Sequence, residues 1–345
     1  MNRYLGEQEA SLLLGLILLS LLVVWAFGDV LAPFFIALVL AYLLHGPQSF
    51  LIKKGCPKLL AVIVTFLAFL GIATSASLFL VPLVLDEVGS AVADIPAMMQ
   101  RGEELMSQLV ASSSAYVGEE FISAAFAQLN QLLLTGGEQL LAFSLGRIPG
   151  LMTGLVYAAL VLILVFFLLK DWSTMAQQAR GFLPDRVMAL TEVWREMDVQ
   201  LANYLRGKAL EILIVGAASY VVFLMFGLRY SLLLAVLVGF SVLIPYIGAF
   251  SVTVPVALVA VFQWGLSSTT FYLIAAYIIL QILDGNLLVP LIFSEAVDLN
   301  PVIIILAILV FGGIWGVWGI FLAIPLATLI KALLRSWPVA QSDSS

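Results

Sequence analysis

From Leu59 to Leu85 the chain runs without one charged side chain, and seven further segments are nearly as oily. A helix of about 20 such residues crosses the ~30 Å hydrocarbon core of a bilayer. Lipid offers backbone groups no hydrogen-bond partners, so apolar runs at that depth must be helices or strands of a closed barrel. These runs are continuous and do not alternate every second residue, which selects helices. Composition agrees: 10% of the 345 residues are charged, against roughly 25% in a soluble domain. The expected fold class is all-α: a polytopic helical membrane protein in a lipid bilayer, with about eight transmembrane helices. Broken helices are expected in its C-terminal half, and amphipathic helices outside the membrane.

In order, residues 1–58 read as an N-terminal helical hairpin (Ser11–Phe27, then Val30–Leu44 after Gly28-Asp29) and a basic link. Residues 59–85 form the third span, and 86–148 an acidic extracytoplasmic segment with amphipathic helices. Residues 149–208 hold the fourth span and a cytoplasmic amphipathic helix, in which Val187, Leu190, Trp194, Met197, Leu201 and Tyr204 recur at helical spacing. Residues 209–335 form the transport core, and 336–345 a tail. Glu211 falls in the first turn of the fifth span, where an acid suits the helix dipole. Ser231–Trp264 and Pro301–Leu334 are too long for one straight span, since thirty-odd residues reach about 50 Å; each must be tilted, kinked or folded back. Under eight spans, Lys53/Lys54/Lys58, the cluster Lys170–Lys208 and Lys331/Arg335 share one face. That face is cytoplasmic by the positive-inside rule, which puts both termini inside.

The net charge of -6 argues against a nucleic-acid partner. One Cys and one His leave no usual zinc site, so no metal and no cofactor are expected. No phosphate loop is present, so movement of a solute must be downhill or coupled to an ion gradient. An enzyme is not expected either: His45 has no nucleophile motif to answer it, and Gly239-x-Ser241 continues as Val242.

Gln281–Pro325 concentrates the polar groups. Asp284, Gly285 and Asn286 interrupt the seventh segment, and an ionised Asp at mid-helix costs roughly 2.5–3.5 kcal/mol on insertion scales. That cost is tolerated where the group meets water, a cation or a partner, and Gly285 can open the helix beside it. Asp-Gly also favours an ordinary surface turn. The candidate substrate or ion pathway comprises Asp284, Asn286, Tyr246, Gln281, Glu295 and Asn300. Asn300 before Pro301 also fits a helix cap. The candidate breaks and hinges are Pro245, Gly248, Gly285, Pro290, Gly312, Gly313 and Gly316. Gly312, Gly316 and Gly319 also suit close helix packing.

The run ANYLRGKALEILIVG, then LIPYIGAF, then LLVPLIFSEAVDLNPVIIILAILVFGGIWGVWGIFLAIPLATLIK resembles the autoinducer-2 exporter family, the PerM-like permeases. The motifs span roughly Asn203 to Lys331. Asp284, Asn286, Pro290, Asn300, Pro301, Gly312, Gly313 and Gly316 match the family pattern, as do Pro245 and Gly248. Ala249 and Lys208 stand where Pro and Gln are usual, and both bear on the choice of substrate or ion. The resemblance implies a homo-oligomer in the inner membrane of a bacterium, with a pentamer the stoichiometry considered. It further implies either export of a small polar organic molecule, the quorum-sensing signal autoinducer-2 in some members, or sodium/proton antiport in others. A non-transporting membrane scaffold, docking partners through the acidic segment, is the third reading. Segments five–six and seven–eight each pair an ordinary span with an overlong one; as complete crossings, the two pairs would be parallel repeats.

Overall fold

A computed structural model describes residues 7–113, 128, 131, 135, 147–181, 188–245, 247–293 and 299–336. Among these there is no strand. The helices are α1 (Glu7–Lys53), α2 (Lys58–Ser113), α3 (Arg147–Gly181), α4 (Met188–Phe226), α5 (Ser231–Ser241), α6 (Ile247–Trp264), α7 (Ser268–Leu283), α8 (Val289–Phe293) and α9 (Pro301–Ser336). A π-helical turn, Asp284–Leu288, joins α7 to α8. Among the described residues six helices are long and apolar enough to cross a membrane, and shorter apolar helices accompany them. Large apolar side chains face outward along them, Phe79 at 73% exposure and Met225 at 79%. In water such a surface would aggregate; against lipid it is the matching one.

The N-terminal hairpin is not formed. Glu7–Lys53 is one unbroken helix of 47 residues, about 70 Å long at 1.5 Å per residue. The expected turn at Gly28-Asp29 would need a departure from helical angles, and Gly28 is absent from the positive-φ positions. Its missing side chain serves packing instead, because a Cβ there would lie 3.2 Å from Trp315 Nε1. The third span and the start of the acidic segment are likewise one helix, α2. The rest of that segment lies almost wholly outside the described residues. Glu211 is not at a helix start: the amphipathic stretch and the fifth span are continuous in α4, which places Glu211 in mid-helix at 2% exposure.

Both overlong segments fold back. Gln263, at the end of α6, accepts from Arg229 N–H at 2.8 Å and donates to the Gly227 carbonyl at 2.8 Å, just before α5. The two ends of the segment therefore lie at one level, and α5 and α6 form a helical hairpin that reverses between Ser241 and Ile247. Gly248 makes the reversal possible, because a Cβ there would overlap the Ser241 carbonyl. α9 reverses at Gly316, whose φ of 58° and ψ of -135° are open to glycine alone in practice. After that turn Gly319 rests on the Phe311 carbonyl and Gly312 on the Ile320 side chain, so the stripe of small residues packs the two arms together.

The chain divides into two compact units. The first contains residues 1–69, 157–210 and 289–345. One of its cores joins Tyr204, Leu205 and Phe293 to both arms of α9, through Ile304, Ala307, Ala323 and Ala327. Another joins Ala37 and Ala41 of α1 to Val62 of α2 and Val165 and Leu168 of α3. The second unit contains residues 70–156 and 211–288, and its core is built from Phe223, Leu234, Val238, Val256, Leu273 and Tyr277.

Candidate functional site

The span that begins at Ser268 is capped by its preceding residue, Ser267, whose hydroxyl accepts from Thr270 N–H. Sixteen residues on, the α-helical ladder gives way to the π turn at Asp284–Leu288. Pro290 supplies a cause. It has no N–H for the carbonyl four residues earlier, that of Asn286, and its ring crowds that carbonyl, so the ladder shifts register ahead of it. Asp284-Gly285-Asn286 is thus neither a reverse turn nor a straight helix. It is a widened helical turn, and Asp284 is the only acidic side chain between Ser268 and Phe293. Asp284 is half-buried; Gly285 and Asn286 are exposed. The Asn286 amide donates to the Ile282 carbonyl at 2.9 Å, and Gln281 donates to the Tyr277 hydroxyl at 2.7 Å. Tyr277 is fully buried, so the Gln281 rotamer is fixed from below. A Cβ at Gly285 would meet nothing within 4 Å, which makes its role conformational and not steric.

The other sequence-selected residues do not gather there. Asn300 caps α9, accepting from Val302 N–H at 3.0 Å while its carbonyl takes Ile303 and Ile304 N–H. The capping alternative therefore accounts for it. Pro245 sits in the reversal of the α5–α6 hairpin, where its carbonyl accepts from Ile247 N–H. Gly312 and Gly316 build the α9 hairpin, and Gly313 has open space around it. Tyr246 and Glu295 lie outside the described residues.

Burial exposes two charges that hydropathy alone did not single out. Lys208 is 6% and Glu211 2% exposed, one turn apart on α4. The Lys208 Nζ stands 5.4 Å from the centre of the Phe293 ring, a cation–π distance. Gly207 lets α8 approach closely, since a Cβ there would press on Ile292 at 2.7 Å and on Phe293. The signal was present in the sequence as two charges at i, i+3 inside an oily run. It was obscured by placing a helix start between them.

One span thus carries a loosened turn with a half-buried carboxylate, and another carries buried charges, both costly inside apolar helices. Comparisons with known proteins identify the family. A profile described as AI-2E family transporter matches residues 14–339. The chain belongs to the AI-2E transporter family. It is 44% identical to the permease PerM of Escherichia coli (strain K12) over 340 residues, 99% of this chain and 96% of that one. YrrI of Bacillus subtilis (strain 168), a protein named for transport, is 26% identical over 310 residues, 88% of this chain and 85% of its own. The AI-2 transport protein TqsA of Escherichia coli (strain K12) is 21% identical over 339 residues, 98% and 95% of the two chains. The chain is therefore a multi-span membrane transporter.

Proposed function

We propose that this transporter is a secondary transporter or facilitator that exports a small polar organic molecule across the bacterial inner membrane, with the π turn at Asp284–Leu288 as its polar station. One observation carries the reading: an acidic side chain two thirds of the way along span Ser268–Phe293, on a turn where the α-helical ladder is interrupted. Such a turn offers carbonyls and a carboxylate to a polar solute at a depth where lipid offers nothing. Autoinducer-2 is the cargo considered first, because the relative TqsA is named for its transport. A second reading, sodium/proton antiport, draws on the same residue, since a lone carboxylate in an apolar span can bind a proton or a sodium ion in turn.

Asp284→Asn and Asp284→Ala in reconstituted proteoliposomes separate the two. Loss of signal efflux, by tenfold or more, with ion-driven pH changes absent throughout supports the exporter. Loss of an ion-driven pH change supports the antiporter. Undiminished transport in both assays overturns the role of Asp284. In this reading the basic clusters around Lys53, Lys170–Lys208 and Lys331 face the cytoplasm, as the positive-inside rule favours. α1, being unbroken, carries its first residues away from the face that holds Lys53. A homo-oligomer, with five copies as the number to test, completes the reading.

A further inference from the structure

The first unit contains a cavity of about 250 Å³ between α1, α3 and α4. Its apolar walls include Ala41, Leu168 and Leu169, and its polar groups are Tyr42, His45, Trp172, Asp198, Asn203 and Arg206. These groups are not equivalent. The Tyr42 hydroxyl donates to Asp198 Oδ1 at 2.6 Å, so the one carboxylate of the cavity is already engaged. Trp172 packs edge-on against the Tyr42 ring, with centroids 5.2 Å apart, and holds that pair in place. Arg206 is different. Its Nε is buried and has no hydrogen-bond partner among the described residues. Its guanidinium lies beside Gly46, where an added Cβ would be 3.5 Å from Nε and 3.9 Å from Nη2. His45 and Asn203, both exposed, stand at the mouth, and each can donate a hydrogen bond. Behind the cavity Gln48 donates to the Leu169 carbonyl at 3.2 Å and fastens α1 to α3.

A partly buried guanidinium that lines a cavity and makes no hydrogen bond or ion pair among the described residues is costly unless an acceptor reaches its accessible Nη groups. Its planar fork suits a carboxylate or a phosphate ester better than a neutral oxygen. We propose that this cavity is a binding site for a small organic oxyanion, with Arg206 the charge partner and His45 and Asn203 closing on the ligand's remaining oxygens. Size limits the ligand: at about 30 Å³ per water-sized group, the space holds about eight such groups, which fits a short dicarboxylate or a glycerol phosphate and excludes a nucleotide. This site is independent of Asp284 and of the cargo proposed for it.

The test uses the full chain in nanodiscs, with succinate and glycerol 3-phosphate as probes and glycerol as the neutral control. Unfolding temperature and calorimetric titration are both read. Either anion, or both, is expected to bind and raise the midpoint, and the pair separates carboxylate from phosphate preference; glycerol is expected to do neither. Arg206→Gln should weaken binding tenfold or more, and Arg206→Lys less than that. If Arg206→Gln fails to fold, His45→Ala and Asn203→Ala at the exposed mouth decide, each with an expected loss of threefold or more. Asp284→Asn should leave anion binding unchanged whatever it does to transport. The proposal is overturned if neither anion binds better than glycerol, or if both mouth variants and any folded Arg206→Gln protein bind as the parent does.

Discussion

At Gly248 and Gly319 the absence of a side chain is itself a contact. Each lies just past a helix reversal and rests on a carbonyl oxygen of the preceding arm, that of Ser241 or Phe311. A methyl group at either place would have to move backbone, and backbone in a packed hairpin does not yield cheaply. Gly248→Ala and Gly319→Ala are therefore expected to lose about 3 kcal/mol or more each, the upper range for overpacking. Gly313→Ala, on the same helix with nothing within 4 Å, should be neutral or more stable by up to about 1 kcal/mol, because alanine is the better helix former. Unfolding midpoints of the three variants in one detergent test this, and equal losses at all three would refute it. The sequence displayed these glycines as a stripe for packing, and that much was legible. Spacing does not reveal which glycine packs and which turns: Gly316 takes a positive φ with open space around it, and Gly319 lies against the Phe311 carbonyl.

The α5–α6 hairpin shows how an element is held. Its two ends are tied by Gln263, and the second half of α2 closes over them. Asp94 accepts from Arg229 Nη1 at 2.9 Å and from the Tyr230 hydroxyl at 2.5 Å, Glu87 accepts from Leu233 N–H at 2.6 Å in the first turn of α5, and Arg101 donates to the Phe262 carbonyl at 2.9 Å. The acidic character of this stretch of α2, which composition alone marked only as an outer segment, is thus used to cap and clamp the hairpin. Arg229–Asp94 is an exposed pair and contributes little, up to about 1 kcal/mol; the phenol–carboxylate bond contributes more. Asp94→Ala should lower stability by about 1–2 kcal/mol, whereas Glu103→Ala, further along α2, should change it by less than about 0.5 kcal/mol. The Tyr230 phenol is pushed up to about 12, first by burial and then by the hydrogen bond to Asp94 and its charge. Because the folded value is raised, this contribution is complete below the ordinary tyrosine range and is lost as pH rises through about 12. Among the late-titrating phenols, absorbance at alkaline pH should show one near pH 12 that Tyr230→Phe removes and Asp94→Ala shifts part of the way down. A Tyr230→Phe protein with the same late phase would refute the assignment.

For the whole molecule, what hydropathy could establish was membrane depth, and what it could not establish was direction. Ser231–Trp264 and Pro301–Leu334 were visible as too long for straight spans, but an apolar helix that crosses and one that returns have the same composition. The deciding contacts, Gln263 with Arg229 and Gly227, join residues more than thirty positions apart. Likewise the apolar run through Gly28 continues as helix where glycine suggested a turn, and the missing side chain leaves room for Trp315. The fold-back of α5 and α6 alters the chain's symmetry. With the end of α4 and the end of α6 at one level, α7 starts where α4 finishes and runs the opposite way. Two span-plus-hairpin pairs are then expected to be inverted, not parallel as eight complete crossings would make them. Direction can be read with single cysteines in a Cys56→Ser background, labelled by an impermeant maleimide added to whole cells. Arg229→Cys and Leu266→Cys, both exposed positions flanking the hairpin, should label alike from outside. Asn300→Cys and Lys54→Cys should be protected until the membrane is opened. If the segment crossed instead, Arg229→Cys and Leu266→Cys would label from opposite sides and Asn300→Cys from outside, and the inverted arrangement would fall with the hairpin.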